Sequence, residues 1–551
     1  MPALSNSMRA RAQEALGRFM QQYETVAETQ RTLLESILRR NAETVFGQEH
    51  GFRRIRTVRD YQQQVPIREW RDFSSYVDAV IDGRRDMLTK EPPFFYHRTT
   101  GTTGQPKMIP FTRRCLEVSK LTHRIWGLKM LLDNPAMLKG KVMAILNAGI
   151  DGYTARREAY GAVSGNIFFR LPTFIRRAYC HPYDVYHIEN IEARRYTLLR
   201  FAAEQSCTLA CTGNPSSLLA LFAFGDRHSE TLIRDIHDGT LAGKFDVPDP
   251  IRMLALNSFS PNPRKARRLA EARSRAGRLQ PTDYWPELQV VACWISGSMG
   301  HFAPQLREWC GGDFRFRDPG YMASEGIFSI PTQNDSADGN LAIHAVFFEF
   351  VPERDFGRPG APALLAHELE RGRNYHVVVT TTGGLYRYAM RDVIRVTDLQ
   401  AGSPSIRFLY KDGHVQNMQG EMMTVDHVMN TMSVVSTELG LKFQHFQIMA
   451  EVSNRRYVLH IEPTDQLPER LLDRLLCNFE RELKKNNENY AQFRHDQLIA
   501  PPGLRIMSKG WFDRISRDHI ARSGRDSQFK PSVLVGSVEH PEMVETAVEL
   551  N

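Results

Sequence analysis

Cysteine is scarce in this chain, with seven among 551 residues. An odd, sparse count makes no disulfide framework and fits reduced thiols in the cytoplasm. Cys207 and Cys211 stand four apart with no matching Cys or His pair, so they are expected as core thiols, not a zinc site. No run of about 18 uncharged apolar residues occurs, which excludes a transmembrane helix. The opening MPALSNSMRARAQEALGRF lacks the apolar core of a secretion signal. Neither charge dominates: 71 Lys and Arg against 63 Asp and Glu give +8. That excess suits an anionic ligand but does not mark a nucleic-acid binder. The densest basic run, 264–278, reads as a solvated helix face. Repeats and low-complexity tracts are also missing. What remains is ordinary globular usage, 42% hydrophobic and 24% charged, in a chain long enough for about two to four structural units.

The periodicities that are present divide the chain. Leu16, Phe19, Met20, Tyr23, Val26, Leu33, Leu34, Ile37 and Leu38 recur at three- and four-residue spacing. They predict a helix over 8–46, closed by Gly47 as C-cap. A second helix is expected over 70–81, after the break at Pro66. Short β-branched or aromatic runs at 142–146, 290–295, 343–350 and 375–380 read as strands. Helical stretches such as 196–205 and 216–224 separate several of them. Alternation of this kind predicts an α/β fold with a largely parallel sheet. Beyond 411 the pattern becomes strands at 443–452 and 456–462, a helix at 468–486, and a polar, basic tail region. The expected fold is α/β: a large, multi-layered N-terminal domain with mostly parallel sheets over 1–410, and a smaller α+β domain over 411–551.

The segment Thr99-Thr100-Gly101-Thr102-Thr103-Gly104-Gln105-Pro106-Lys107 carries the sharpest chemical signal. Glycines let backbone N–H groups approach a phosphate, threonine hydroxyls donate to its oxygens, and Lys107 adds positive charge. The Walker spacing does not fit, because Gly101 and Gly104 are too close and Met108 follows the lysine. By itself the segment is either a phosphate loop of another kind or a flexible surface turn.

In context it resembles the phosphate loop of the adenylate-forming superfamily. More specifically it resembles the acyl acid amido synthetases of the auxin-responsive family, in a bacterial-type form. The stretches 33–52 and 60–83 follow that family's lead-in, and the likeness runs from about residue 30 to 531. Trp285-Pro286-Glu287-Leu288 and Trp294-Ile295-Ser296-Gly297-Ser298 resemble a segment that lies beside adenine. The tryptophans themselves are as readily explained as core aromatics. Tyr321-Met322-Ala323-Ser324-Glu325 resembles the Y-G-x-[ST]-E box, with Met322 where glycine is usual. There the ring of Tyr321 would stack on adenine, Ser324 would contact phosphate and Glu325 would hold Mg²⁺. The alternative is a strand running into a helix capped by Ser324. Phe347-Phe348-Glu349-Phe350 matches a family strand in which an acid among phenylalanines must be exposed or paired.

Leu385-Tyr386-Arg387-Tyr388-Ala389-Met390-Arg391-Asp392 resembles the family's ribose-binding motif. Asp392 would accept from both hydroxyls; Arg391 replaces a glycine and either pairs with Asp392 or reaches a phosphate. Lys411 stands at the interdomain hinge. Met422 replaces the lysine of an N-x-x-G-E-K motif at 417–422. Gln528-Phe529-Lys530-Pro531 places Lys530 as the lysine that reaches the phosphates and offsets charge at the α-phosphate.

The resemblance therefore implies an ATP- and Mg²⁺-dependent ligase. Nucleotide contacts would come from Thr99, Thr100, Gly101, Thr102, Thr103, Lys107, Ser298, Tyr321, Ser324, Glu325, Asp392, Lys411 and Lys530, with Lys530 and Glu325 catalytic. The acid would sit near 112–121 and 148–168, with Ser164 and Asn166 in contact. The partners are a small carboxylic acid and an amino acid or other amine. Nucleic acid and membrane are not expected, and the protein is expected to be a cytoplasmic monomer. An acyl–coenzyme A ligase and a non-catalytic nucleotide-binding homologue are the rival readings. No residue stands out as the base of the amide-forming step.

Overall fold

Buried β-branched runs linked by helices form parallel sheets, because a parallel pair needs a long crossover. In the computed structural model this holds for part of the chain. The structure describes residues 6–99, 106–311, 313–400, 403–411, 415–416, 418, 421–523, 529 and 531–549. Lys141–Ala144, Cys207–Cys211, Val290–Ala292 and Arg315–Arg317 form a four-stranded sheet in chain order, all neighbours parallel. Helices Ile191–Glu204, Pro215–Arg227 and Ala303–Cys310 lie among the crossovers.

The runs expected at 343–350 and 375–380 behave differently. They become Val346–Pro352 and Asn374–Thr381, adjacent and antiparallel in a seven-stranded sheet. The connection between them holds only two 3₁₀ turns and the short strand Leu364–Leu365. With no helix to carry a crossover, the chain doubles back. Parallel and antiparallel sheets thus share the α/β architecture.

The helix expected over 8–46 is interrupted. It runs as Asn6–Met20, a 3₁₀ turn Gln21–Thr25, and Val26–Arg40. Asn41, not Gly47, ends it, through its N–H to Ile37 and Leu38 carbonyls. Gly47 lies inside the next helix, Val45–Glu49, where a Cβ would come 2.1 Å from the Asn41 oxygen. The glycine serves close packing rather than a left-handed cap.

The chain divides into two compact units. The first comprises Met1–Ile295, Phe302–Met390 and Arg395–Arg407; the second comprises Ser296–His301, Arg391–Ile394 and Phe408–Asn551. The second unit has a five-stranded sheet, ordered Leu534–Val535, Phe443–Glu451, Arg456–Pro463, Gly503–Met507, Val544–Glu549. Its core gathers Val428, Phe446, Ile448, Leu459, Leu475 and Phe479. The segment read as a polar tail supplies three of those strands and the helix Trp511–Ser523. Leu504, Ile506 and Trp511 of that segment are buried. Among the described residues no helix is long and apolar enough to cross a membrane.

Candidate active site

The Thr/Gly segment joins two antiparallel strands. Strand Phe95–Arg98 pairs with Met108–Phe111, and the ladder continues into the segment's two ends. Thr99 N–H donates to the Lys107 carbonyl, and Lys107 N–H donates to Thr99 Oγ1, each at 3.0 Å. Thr99 and Lys107 therefore bring the segment's ends together. Thr100, Gly101, Thr102 and Thr103 lie outside the described residues, as does Lys530.

The Tyr-x-x-Ser-Glu box forms a tight hairpin. Met322–Ala323 pairs with Gly326–Ile327, leaving Ser324 and Glu325 as its two-residue turn. No helix follows, so Ser324 is not an N-cap. A two-residue turn projects adjacent side chains from one fixed point, which suits a hydroxyl and a carboxylate serving one ligand.

Side chains join these two strand pairs. Lys107 Nζ lies 3.0 Å from the Tyr388 hydroxyl, which lies 3.4 Å from Glu325 Oε1. The ammonium also stands 5.8 Å from the Trp70 ring centroid and 5.7 Å from that of Tyr388. Charge on the carboxylate and the ammonium is thus offset through one phenol. On the other side His97 Nδ1 donates to the Ser324 carbonyl at 3.0 Å. A carbonyl there requires the proton on Nδ1, so Nε2 of the neutral ring accepts from Asn166 Nδ2 at 3.1 Å. Thr99, Lys107, Ser324, Glu325 and Asn166 are therefore brought together. His97 and Tyr388, which complete the network, were not singled out from sequence. The signal available was position: His97 sits two residues ahead of Thr99, and Tyr388 lies inside the quoted Leu-Tyr-Arg-Tyr motif.

Other expected residues sit apart from this network. Tyr321 is buried, its N–H on Ser329 Oγ at 2.9 Å and its ring 4.7 Å from that of Phe328. Ser164 Oγ accepts the Asn147 N–H at 3.3 Å. Beside it the backbone packs closely, and a Cβ on Gly165 would meet Gly149 Cα at 2.3 Å. Trp285 is a core aromatic, its indole donating to the Ala202 carbonyl at 2.8 Å.

In the second unit Lys411 Nζ lies 3.0 Å from Asp392 Oδ1. Ser298 is half-buried on the 3₁₀ helix Gly297–Phe302. Arg391 is exposed with φ +56°, and Met422 is exposed with φ +47°. Arg391 thus keeps the left-handed backbone that a glycine would adopt freely. Among the described residues no cluster of three His, Cys, Asp or Glu could hold a metal. A single carboxylate fits Mg²⁺, which takes one or two carboxylates plus substrate phosphates and water.

Comparison with known proteins adds the following. The GH3 family N-terminal, central and C-terminal domain models match residues 15–314, 339–411 and 425–539. A jasmonoyl–L-amino acid synthetase GH3.5 of Oryza sativa subsp. japonica is 25% identical, covering 94% of each chain. An indole-3-acetic acid-amido synthetase GH3.10 of Arabidopsis thaliana is 23% identical, covering 85% of this chain and 84% of that protein. The structure of AtGH3.15 acyl acid amido synthetase in complex with 2,4-DB superposes with a TM-score of 0.85 at 20% identity, over 100% of this chain and 98% of that one. That last likeness establishes the fold.

Proposed function

The chain belongs to the GH3 family, and from that premise we infer that it is an ATP-dependent acid–amine ligase. It adenylates a carboxylic acid with release of pyrophosphate, then passes the acyl group to an amine with release of AMP. The relatives' names make an amino acid the expected amine. The observation that carries this reading is the Lys107–Tyr388–Glu325 chain, which unites three separated motifs at one place.

A carboxylate is a poor electrophile, and joining it to AMP supplies a leaving group. Lys107 and Lys530 offset charge on the phosphates as pyrophosphate departs. Mg²⁺ held by Glu325 supplies further neutralisation at the phosphate oxygens. Tyr388 orients both Glu325 and Lys107, and His97 fixes the Ser324 carbonyl so that the turn presents its hydroxyl. Asp392 serves the ribose hydroxyls, and Tyr321 the adenine ring. Ser164 and Asn166 lie toward the acid. Residues 1–410 act as the adenylation domain and 411–551 as a mobile domain that turns near Lys411 between half-reactions. We extend the reading to a monomer working in the cytoplasm without membrane or nucleic acid. We further propose a bacterial-type member of the family, 25% and 23% identical to its plant relatives from Oryza and Arabidopsis.

The test is carboxylate-dependent pyrophosphate release across a panel of acids, jasmonate and indole-3-acetate included. The best acid is then offered amino acids or coenzyme A, with product masses read out. An amide mass supports the reading. A thioester mass replaces it with the coenzyme A ligase, and acid-independent behaviour throughout replaces it with the non-catalytic homologue.

A further inference from the structure

Beyond the carboxyl ends of the parallel strands Val290–Ala292 and Arg315–Arg317 lies an acid that the motifs do not include. Asp318 is 1% exposed. Its Oδ2 accepts the Ile295 N–H at 2.8 Å, and its Oδ1 accepts the Gly320 N–H at 2.7 Å. Ile295 immediately precedes Ser296-Gly297-Ser298, and Gly320 immediately precedes Tyr321. The same two segments are linked again by Trp294, whose Nε1 donates to the Gly320 carbonyl at 3.0 Å. Trp126 Nε1 holds the Asp318 carbonyl at 2.8 Å. In open α/β sheets ligands bind at the carboxyl ends of the strands.

We propose that Asp318 is a positioning residue for the nucleotide, its two carboxylate oxygens tying the strand end at Ile295 to the one that leads into Tyr321. This rests on the reading above, in which Tyr321 lies beside the adenine. Each oxygen has one N–H, so the ionised form satisfies both donors. The protonated acid carries a hydroxyl where an acceptor is needed and gives up one of the two.

The surroundings place that change within reach. Burial pushes the Asp318 carboxyl up to about 7, against the two backbone N–H groups that favour its charge. The Arg407 guanidinium lowers it and the Asp338 carboxylate raises it. Those two pair with each other at 2.7 Å. The neighbouring Arg317 is engaged by Asp133 at 2.7 Å. The Cys293 thiol also faces Asp318; burial first and Asp318 second hold it well above its ordinary range.

The experiment is titration of the full chain with adenosine, which has no phosphate to titrate, from about pH 5.5 to about 8.5. Tryptophan fluorescence or calorimetry reads the binding. Wild-type affinity is expected to rise roughly three- to tenfold as pH climbs through about 7. Asp318→Asn offers one acceptor oxygen and is expected to stay near the weaker value at every pH.

Stability moves the other way. A carboxyl raised in the folded state contributes stability that is complete below its unfolded pKa of about 4 and is lost as pH rises through about 7. The wild type should therefore lose thermal stability relative to Asp318→Asn across that window. A purely structural role would show this shift without the step in affinity. Wild-type affinity that is flat across pH 7, or wild-type affinity in Asp318→Asn throughout, overturns the proposal alone. If the variant fails to fold, the wild-type profile decides. A wild type that binds neither adenosine nor ATP overturns the nucleotide reading and this proposal with it.

Discussion

Arg387 and Asp392 lie five residues apart in one motif, yet they form ion pairs of different kinds. Arg387 meets Glu349 in the first unit, with side-chain exposures of 6% and 1%. Its Nε lies 2.9 Å from Glu349 Oε2 and Nη2 lies 2.9 Å from Oε1. Nη1 donates to the Gln62 and Val65 carbonyls at 2.8 and 2.7 Å. Gln62 Nε2 donates to the same carboxylate at 3.0 Å. These bonds hold Arg387 at φ +47°, a left-handed conformation that persists only when neighbours over-determine it. Asp392 is equally buried, at 7%, but its partner Lys411 is 43% exposed. A cation open to solvent is free to exchange a protein partner for a ligand; one sealed on every side holds a fold. Burial of the cation therefore separates a pair that holds the fold from the pair we propose to serve the nucleotide.

The most forceful way to break this comparison is to remove the sealed cation. Arg387→Met leaves Glu349 charged, buried and unpaired, which costs about 3–5 kcal/mol. The denaturation midpoint should fall accordingly in urea. A loss under about 1 kcal/mol would mean that water reaches Glu349, and the distinction between the two pairs would fail.

Next come the residues assigned to charge at the phosphates. Glu325→Ala and Lys530→Ala should each slow adenylation about tenfold or more, at least roughly 1.4 kcal/mol in barrier. Glu325→Ala should change stability by no more than about 0.5 kcal/mol. Pyrophosphate release with a saturating acid measures the first, and wild-type rates in either variant would remove that residue from the chemistry.

Tyr388→Phe sharpens the comparison from inside the motif. It removes one hydroxyl and with it the bonds to Lys107 and Glu325, while the ring keeps its contact with Phe73 at 5.9 Å. The expected result is adenylation slower by roughly three- to tenfold, with stability changed by about 1 kcal/mol at most. A large stability loss at unchanged rate would place Tyr388 with Arg387, on the structural side.

How much of this was open to reading from sequence depended on whether the determining interaction was local. The segment 99–107 stood out because glycine, threonine and lysine fall within nine positions. That Glu349 must be either exposed or paired was legible, because an acid among phenylalanines cannot be buried alone. Its partner was not, because Arg387 is 38 residues away. The antiparallel return of Asn374–Thr381 was hidden for the same reason: a buried strand looks alike in either direction, and only the connection decides. His97 read as one histidine among 18 until the fold set it 3.0 Å from the Ser324 carbonyl. Asp318 sits three residues ahead of a recognisable box, but one of its two backbone partners, Ile295, is 23 residues away.

The smallest expected effect belongs to the open pair itself. Lys411→Ala removes a partly exposed ammonium, and solvent screening limits such a pair to about 0–1 kcal/mol. The denaturation midpoint should hardly move. If the lysine passes from Asp392 to the nucleotide, its loss should weaken ATP binding about threefold, the worth of one screened charge contact. Adenosine binding should stay within about twofold, because the ribose hydroxyls still find the Asp392 oxygens. Titration of both ligands against the wild type and the variant separates the cases. Equal weakening of ATP and adenosine would mean that Lys411 orients Asp392 and never leaves it. The pair would then be as fixed as the one between Arg387 and Glu349, and exposure would no longer distinguish them.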